Sequence, residues 1–194
     1  MSKGPIFLAA SVPERDFHIY VPDPVAIREA IRALVAETVR ERLLVFGGHP
    51  AISPLVEHAA QSLDAVDNVR IYQSEFFRNV IPPVAQKFKN LVWTPEVPGD
   101  QVTSLILMRT QMITSEPFEA GVFIGGMDGV VEEWRLFANH HPNAPAFPIA
   151  STEGAARLIW SSCTMAPSLR LPAKVMDRLA EDLDYRLLFR DLLG

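Results

Sequence analysis

Short apolar runs alternate along this chain with longer segments in which apolar residues recur every three or four positions. Uninterrupted apolar runs are typical of strands buried on both faces of a parallel sheet, and the longer spacing is typical of helices that cover it. The alternation therefore predicts an α/β fold with a Rossmann-like parallel sheet flanked by helices. The predicted strands are residues 5–10, 43–46, 69–72, 91–93, 122–124 and 146–150, the last with Pro148 at an edge or irregular position.

Local start signals place helices between these strands. Asp23-Pro24 predicts the start of a helix that runs to about residue 40, because Asp caps helix N-termini and Pro fits the first helical position. Ser53-Pro54 is expected to cap a second helix. A helix broken at Pro82-Pro83 is expected after the third strand. Further helical patterns cover residues 100–115 and 130–140.

The length of 194 residues suits one large domain with a substantial core. We assign residues 1–170 to the Rossmann-like domain. Residues 171–194 are assigned to a C-terminal helical extension that packs on the same domain, as a lid or as an oligomer contact. The apolar positions of this extension are Val175, Leu179, Leu183, Leu187 and Leu188.

The composition narrows the possible partners and the compartment. A net charge of −5 argues against broad electrostatic binding to nucleic acid or to an anionic membrane. The single cysteine, Cys163, forms no disulfide within the chain and favours a reducing compartment. No stretch approaches the roughly 20 apolar residues of a membrane span, and the N-terminus has no signal-peptide pattern. We expect a cytoplasmic protein.

The ends of the predicted strands are rich in Gly, Ser and Thr. In open parallel sheets ligands bind beyond the carboxyl ends of the strands, and these residue types offer backbone N–H and hydroxyl donors to phosphate and ribose. We therefore expect a nucleotide-like ligand there, although small and hydroxyl residues are also common in ordinary turns. The candidate ligand-binding residues are Ser11, Gly47, Gly48, His49, Ser74, Gly125, Gly126, Met127, Asp128, Gly129, Ser151 and Thr152.

The segment from residue 121 to residue 134 combines a buried strand, a glycine-rich turn and the start of a helix. Gly125, Gly126 and Gly129 lack a Cβ, so a ligand can approach the backbone closely and meet the free N–H groups of the first helical turn. A phosphate is the usual guest of such a turn. Glu132 and Glu133 follow within the same helix, where they either complement the helix dipole or take part in chemistry.

One arginine falls on the apolar side of its predicted helix. In a helical projection of residues 100–115, Arg109 lies within the arc formed by Val102, Leu105, Met108, Met112 and Ile113. A buried guanidinium needs a carboxylate, a phosphate or access to solvent, or it snorkels from the rim. The projection of the next helix turns Glu133 inward and Glu132 outward, so pairing of Arg109 with Glu133 is the simplest arrangement.

These residues resemble a known signature. Met108-Arg109, the 122–124 strand and the following Gly-Gly…Gly…Glu-Glu run resemble the Lonely-Guy (LOG) phosphoribohydrolases, with a helical arginine before Pro-Gly-Gly-x-Gly-Thr-x-x-Glu. The resemblance implies cleavage of the N-glycosidic bond of a nucleoside monophosphate, with Arg109 and either Glu132 or Glu133 as catalytic residues. Here Ile124 stands in place of the Pro and Val130 near the Thr, and the turn is one residue longer.

The wider pattern is similar to the SLOG superfamily. It includes residues 7–11, 47–50 and 125–129. This resemblance implies a domain of bacterial conflict systems that senses nucleotides or NAD-derived signals, with a separate effector protein as partner in this case. LOG-like proteins commonly pair through helices, so we expect a homo-oligomer, a dimer or higher.

Other kinds of site have weaker support in the sequence. His49 and His58, and His140-His141, lack a Cys or carboxylate cluster at metal-ligand spacing, so we expect no metal and no cofactor. His49 is expected to donate to the ligand or to fill the loop. The sequence leaves three readings: a nucleotide-binding sensor, an N-glycosidic hydrolase, or an interaction protein that kept the fold without the site.

Overall fold

The computed structural model describes residues 3–81, 83–165 and 171–194. Six parallel strands form one sheet in the order β4-β3-β2-β1-β5-β6, which confirms the predicted Rossmann-like α/β class. Pro148 lies in the edge strand β6, where a missing N–H can be tolerated. The strands are β1 (Ile6–Ser11), β2 (Leu44–Gly47), β3 (Val69–Ser74), β4 (Asn90–Thr94), β5 (Ala120–Gly125) and β6 (Ala146–Ile149).

The strand order reverses between β1 and β5. The chain adds β2, β3 and β4 on one side of β1 and then returns to place β5 on the other side. Ser11, the last residue of β1, is in register with Gly125, the last residue of β5. A crevice opens at such a reversal because the flanking connections leave in opposite directions. The fold therefore brings Ser11 beside the glycine-rich turn.

Seven α-helices cover the sheet in the described residues. Asp23 caps the first helix, since its carboxylate accepts the N–H groups of Val25 and Ala26 at 3.0 Å. α1 packs with α2, and α3 packs with α4. The helices are α1 (Pro24–Thr38), α2 (Ser53–Gln61), α3 (Gln101–Ile113), α4 (Asp128–His140), α5 (Ala155–Met165), α6 (Ala173–Glu181) and α7 (Tyr185–Leu193).

Several predicted helix boundaries are wrong. Ile52, not Ser53, occupies the cap of α2, because Ser53 is already helical and its hydroxyl accepts the N–H of His49 at 3.2 Å. The broken helix expected after β3 is instead two 3₁₀ turns, Glu75–Phe77 and Pro83–Lys87. Pro82 lies outside the described residues. α4 begins at Asp128, two residues earlier than expected, and α5 was not predicted at all.

The C-terminal extension is two helices, of which α7 packs against α1. The prediction of Leu183 and Leu187 as apolar packing positions is wrong, because these side chains are 71% and 47% exposed. Leu183 lies in the turn between α6 and α7, and this turn shifts the buried face of α7 to Tyr185, Leu188, Phe189 and Leu193.

A cluster of aromatic rings joins the sheet to α4. The rings of Phe7 on β1 and Phe137 on α4 stack with centroids 5.5 Å apart, and Phe123 on β5 meets both. Gly121 allows this approach, because a Cβ there would lie 2.9 Å from the Phe137 ring. The packing holds the second half of α4 against the first residues of β5. Among the described residues, no helix has the length and apolar character needed to cross a membrane.

Candidate functional site

The turn after β5 requires glycine at two successive positions. Gly125 and Gly126 have φ values of +56° and +85°, a region that side chains with a Cβ rarely adopt. A Cβ on Gly125 would lie 2.4 Å from Ile27, and one on Gly126 would lie 2.3 Å from Val130. The sharp turn directs the chain from the end of β5 straight into α4.

The first turn of α4 leaves backbone donors available. No side chain caps this helix in the described part of the chain, and its first N–H donors to Met127 O are those of Val130 and Val131. The N–H groups of Asp128 and Gly129 therefore precede the helical hydrogen bonds. The Ser11 hydroxyl oxygen lies 3.4 Å from the position that a Cβ on Gly126 would take. An anion at the strand reversal would meet these donors.

Arg109 of α3 reaches across to two carboxylates of α4. Its Nε lies 3.3 Å from Glu133 Oε1, as predicted, and its Nη1 also donates to Glu132 Oε2. The Arg109 side chain is 14% exposed and that of Glu133 13%, whereas that of Glu132 is 54% exposed. The guanidinium also lies against Gly129, where a Cβ would come within 2.7 Å of Nη2. The structure thus brings the three candidate catalytic residues together beside the turn.

The Glu133 carboxyl is poised between its two protonation states near neutral pH. Burial raises the pKa of Glu133 from its ordinary value of 4.5 to about 7, although the positive charge and hydrogen bond of Arg109 act in the opposite direction. A carboxyl with such a pKa can hold or release a proton at physiological pH.

A cleft of about 320 Å³ opens beside this ion-pair cluster, at the carboxyl ends of β2 and β3. The backbone of Gly47 and Gly48 forms its floor, and Arg109 and Glu133 are among the residues that line it. Its remaining wall is mostly apolar and comes from Pro50, Phe77, Val80, Ile81, Leu105 and Met108. A cleft of this size and character suits the flat ring of a small molecule.

Two uncharged polar side chains, His49 and Gln73, also line the cleft. Burial lowers the pKa of His49, and the negative charge of Glu14 opposes this effect without reversing it. The Gln73 amide nitrogen donates to Gly48 O at 3.3 Å. The sequence indicated Gln73-Ser74 as the segment at the end of the third strand, but only Ser74 was chosen as a candidate ligand-binding residue.

The remaining candidates from the sequence lie in supporting positions or near the turn. Ser74 is fully buried, and its hydroxyl accepts the Phe76 N–H. Thr152 is also fully buried, and its hydroxyl accepts the Gly125 N–H at 2.9 Å and donates to Ile149 O. Ser151 donates to the Tyr185 hydroxyl at 3.3 Å. Met127 is half-buried and Asp128 exposed, both in the turn. Within the described ranges, no group of three or more His, Cys, Asp or Glu side chains is placed to hold a metal ion.

The X-ray structure of TM1055, a Northeast Structural Genomics Consortium target, aligns with a TM-score of 0.57 and 14% identity over 98% of this chain and 99% of that chain. At that identity the likeness shows the fold alone. No curated protein matches the chain.

The sequence profile of the SLOG cluster3 family matches residues 18–193. This range contains α1 to α7, five of the six strands, the glycine-rich turn and all residues of the ion-pair cluster. The resemblance first indicated by the strand-end motifs is thereby confirmed, and the chain belongs to the SLOG cluster3 family.

Proposed function

We propose that this protein binds a nucleotide or a nucleotide-derived ligand, such as an NAD-like or ADP-ribose-like molecule, and acts as a sensor. The observation that carries the proposal is the Arg109–Glu132–Glu133 cluster between an apolar cleft and a turn with free backbone donors. The cleft, the ion-pair cluster and the turn follow one another in the order of the base, the ribose and the phosphate of a nucleotide.

The base would occupy the cleft. Phe77, Leu105 and Met108 offer the apolar contact area that a heterocyclic ring can bury on binding. Its flanking polar groups, His49 and Gln73, would meet the edge of the ring. Gly48 leaves room for the Gln73 side chain at the edge of the cleft, because a Cβ on Gly48 would lie 2.3 Å from the Gln73 amide nitrogen.

The ribose would lie against the cluster, where Glu133 accepts hydrogen bonds from its hydroxyl groups. Two carboxylates already surround the Arg109 guanidinium, so the cluster is neutral when Glu133 is protonated and negative when it is ionised. Arg109 would therefore hold the two carboxylates in position rather than attract a phosphate. The phosphate would bind the N–H groups of Asp128 and Gly129 and the Ser11 hydroxyl.

A second candidate function is N-glycosidic hydrolysis of a nucleoside 5′-monophosphate. The raised pKa of Glu133 favours it, because a carboxyl that changes protonation near pH 7 can act in general acid–base catalysis. Glu133 or Glu132 would stabilise positive charge on the ribose or position water, and Arg109 would orient both. Catalysis would then use the same cluster that the sensor uses for binding.

The experiment incubates the protein with AMP, other nucleoside monophosphates, NAD, ADP-ribose and cyclic ADP-ribose, and resolves products by chromatography. Arg109→Ala tests the cluster. Arg186→Ala is the matched control, because the exposed Arg186 of α7 pairs only with Glu37 of α1 among the described residues. Intact ligands that raise the melting temperature of wild type and Arg186→Ala, but not of Arg109→Ala, support the sensor. Release of free base by wild type and Arg186→Ala, but not by Arg109→Ala, supports the hydrolase. A folded wild-type protein that neither binds nor cleaves any ligand refutes both.

As a sensor, the protein would pass its signal to a separate effector protein and would form a homo-oligomer. Both are proposals that follow from the family. Light scattering with and without ligand measures the mass of the assembly, and a mass equal to one chain under both conditions would contradict the oligomer.

A further inference from the structure

Two neutral polar groups face the cleft with their hydrogen-bonding capacity unused. They are the amide oxygen of Gln73 and the Nε2 atom of His49, for neither of which the described residues supply a hydrogen bond. All fully buried polar side-chain atoms in the described part of the chain do have partners. The two free atoms are therefore accessible, and both side chains line the cleft.

The orientation of the Gln73 amide is fixed by its neighbour Gly48. The amide nitrogen donates to Gly48 O at 3.3 Å, and a Cβ on Gly48 would lie only 2.3 Å from that nitrogen. The side chain thus rests directly on the glycine. A flipped amide would place its oxygen against the Gly48 carbonyl oxygen, which is repulsive. Gln73 therefore presents an acceptor to the cleft.

The tautomer of His49 is fixed in a similar way. Its Nδ1 accepts the Ala51 N–H at 3.2 Å. A neutral ring that accepts at Nδ1 carries its proton on Nε2. His49 therefore presents a donor. The cleft offers one donor and one acceptor on side chains at the carboxyl ends of the adjacent strands β2 and β3.

We propose that His49 and Gln73 select a heterocycle that has an unprotonated ring nitrogen beside an amino group, as in adenine or cytosine, over a lactam such as hypoxanthine or uracil. The ring nitrogen accepts from His49 Nε2, and the amino group donates to Gln73 Oε1. This inference rests on the proposed function, because it assumes that the base occupies the cleft.

A lactam carries a donor and an acceptor in the opposite order along its edge. With its ribose held at the Arg109 cluster, it cannot turn over to correct that order, so donor meets donor and acceptor meets acceptor. The apolar wall formed by Phe77 and Leu105 leaves little water to satisfy the mismatched groups. Selection against such a mismatch is strong, because a site with buried polar groups rejects ligands that leave them unpaired.

The test is isothermal titration of the protein with two matched pairs, AMP with IMP and CMP with UMP. If the protein cleaves the ligands, the same ratios are taken from kcat/KM. Wild type is expected to prefer the amino member of each pair about tenfold or more. Gln73→Leu and His49→Phe should each reduce this preference to about twofold or less. The exposed Gln61→Leu and His58→Phe, both on α2, are the matched controls and should keep it.

The outcomes separate the two proposals. Equal binding of AMP and IMP by wild type, or an unchanged preference in folded Gln73→Leu, would overturn the inference and leave the proposed function standing. Failure of all four monophosphates and of ADP-ribose to bind the folded wild-type protein would refute the proposed function, and the inference with it.

Discussion

The Glu133 carboxyl gives the sharpest prediction about stability. Its pKa is raised from 4.5 to about 7 in the folded protein, mainly by burial. Between these two pH values the unfolded chain has lost the Glu133 proton while the folded chain still holds it, so the free energy of unfolding falls as pH rises through this window. Above pH 7 the full cost of an ionised, buried carboxylate is present. Glu133→Gln removes that titration and should stabilise the protein at alkaline pH.

The size of the effect follows from the shift. A difference of about 2.5 pKa units corresponds to about 3 kcal/mol at pH 8, of which about 1 kcal/mol is already present at pH 5. The gain from Glu133→Gln should therefore be about 2 kcal/mol larger at pH 8 than at pH 5. Taking this difference cancels any pH-independent effect of the amide, such as altered packing.

Urea unfolding of wild type and variant at both pH values measures this difference. Glu29→Gln is the matched control, because it removes a carboxylate of α1 that is 54% exposed and does not contact Arg109. Its effect should differ between the two pH values by about 0.5 kcal/mol or less. The reasoning is refuted if Glu133→Gln destabilises the protein more at pH 8 than at pH 5, since the Arg109 ion pair would then outweigh the burial of Glu133.

Three further substitutions test the turn, the cluster and the C-terminal anchor. Gly126→Ala should lower the free energy of unfolding by about 3 kcal/mol, because its Cβ would clash with Val130. Gly99 also has a positive φ, +73°, but no atom lies within 4 Å of a Cβ there, so Gly99→Ala should cost about 1 kcal/mol. Equal losses in urea unfolding would contradict the predicted clash. Gly129→Ala should weaken ligand binding in calorimetry, because its Cβ displaces the Arg109 guanidinium, while the melting temperature stays within a few degrees of wild type. Unchanged binding would show that ligand binding does not depend on the position of Arg109. Arg42→Met should lower the free energy of unfolding by about 3 kcal/mol, because the buried guanidinium donates to Gly4 O, Glu119 and Leu193 O. A loss no larger than that of Arg40→Met, at an exposed arginine, would contradict this role.

The sheet and the ion pair were predictable because each leaves a local signal. Strands buried on both faces appear as uninterrupted apolar runs, and all six were found. The pairing of Arg109 with Glu133 followed from a helical projection, because a charged residue on an apolar arc needs a partner. Projection alone did not show that Glu132 also reaches Arg109 from a largely exposed position.

Other features depend on tertiary packing, which a linear pattern does not contain. Val102 lies on the projected apolar arc of α3 but is 68% exposed, whereas the polar Ser104 is fully buried there and accepts the Val97 N–H. α5 begins directly after Gly154, whose φ of +64° is invisible in the sequence. Gln73 is identified as a cleft residue only when β2 and β3 are placed side by side, since its partner is the carbonyl of Gly48.

The central claim, that a nucleotide-derived ligand occupies the cleft beside Arg109, can be tested with the six methionines of the chain. Met108 lines the cleft and Met127 lies in the turn, whereas Met176 is buried in α6 and serves as an internal control. The measurement is a titration of ¹³C-methyl-methionine protein with AMP and with ADP-ribose, followed by NMR. A ligand in the cleft and the turn should shift the Met108 and Met127 methyl signals saturably and leave the Met176 signal unchanged. Saturable shifts of Met176 with Met108 unaffected would place the ligand elsewhere and contradict the account.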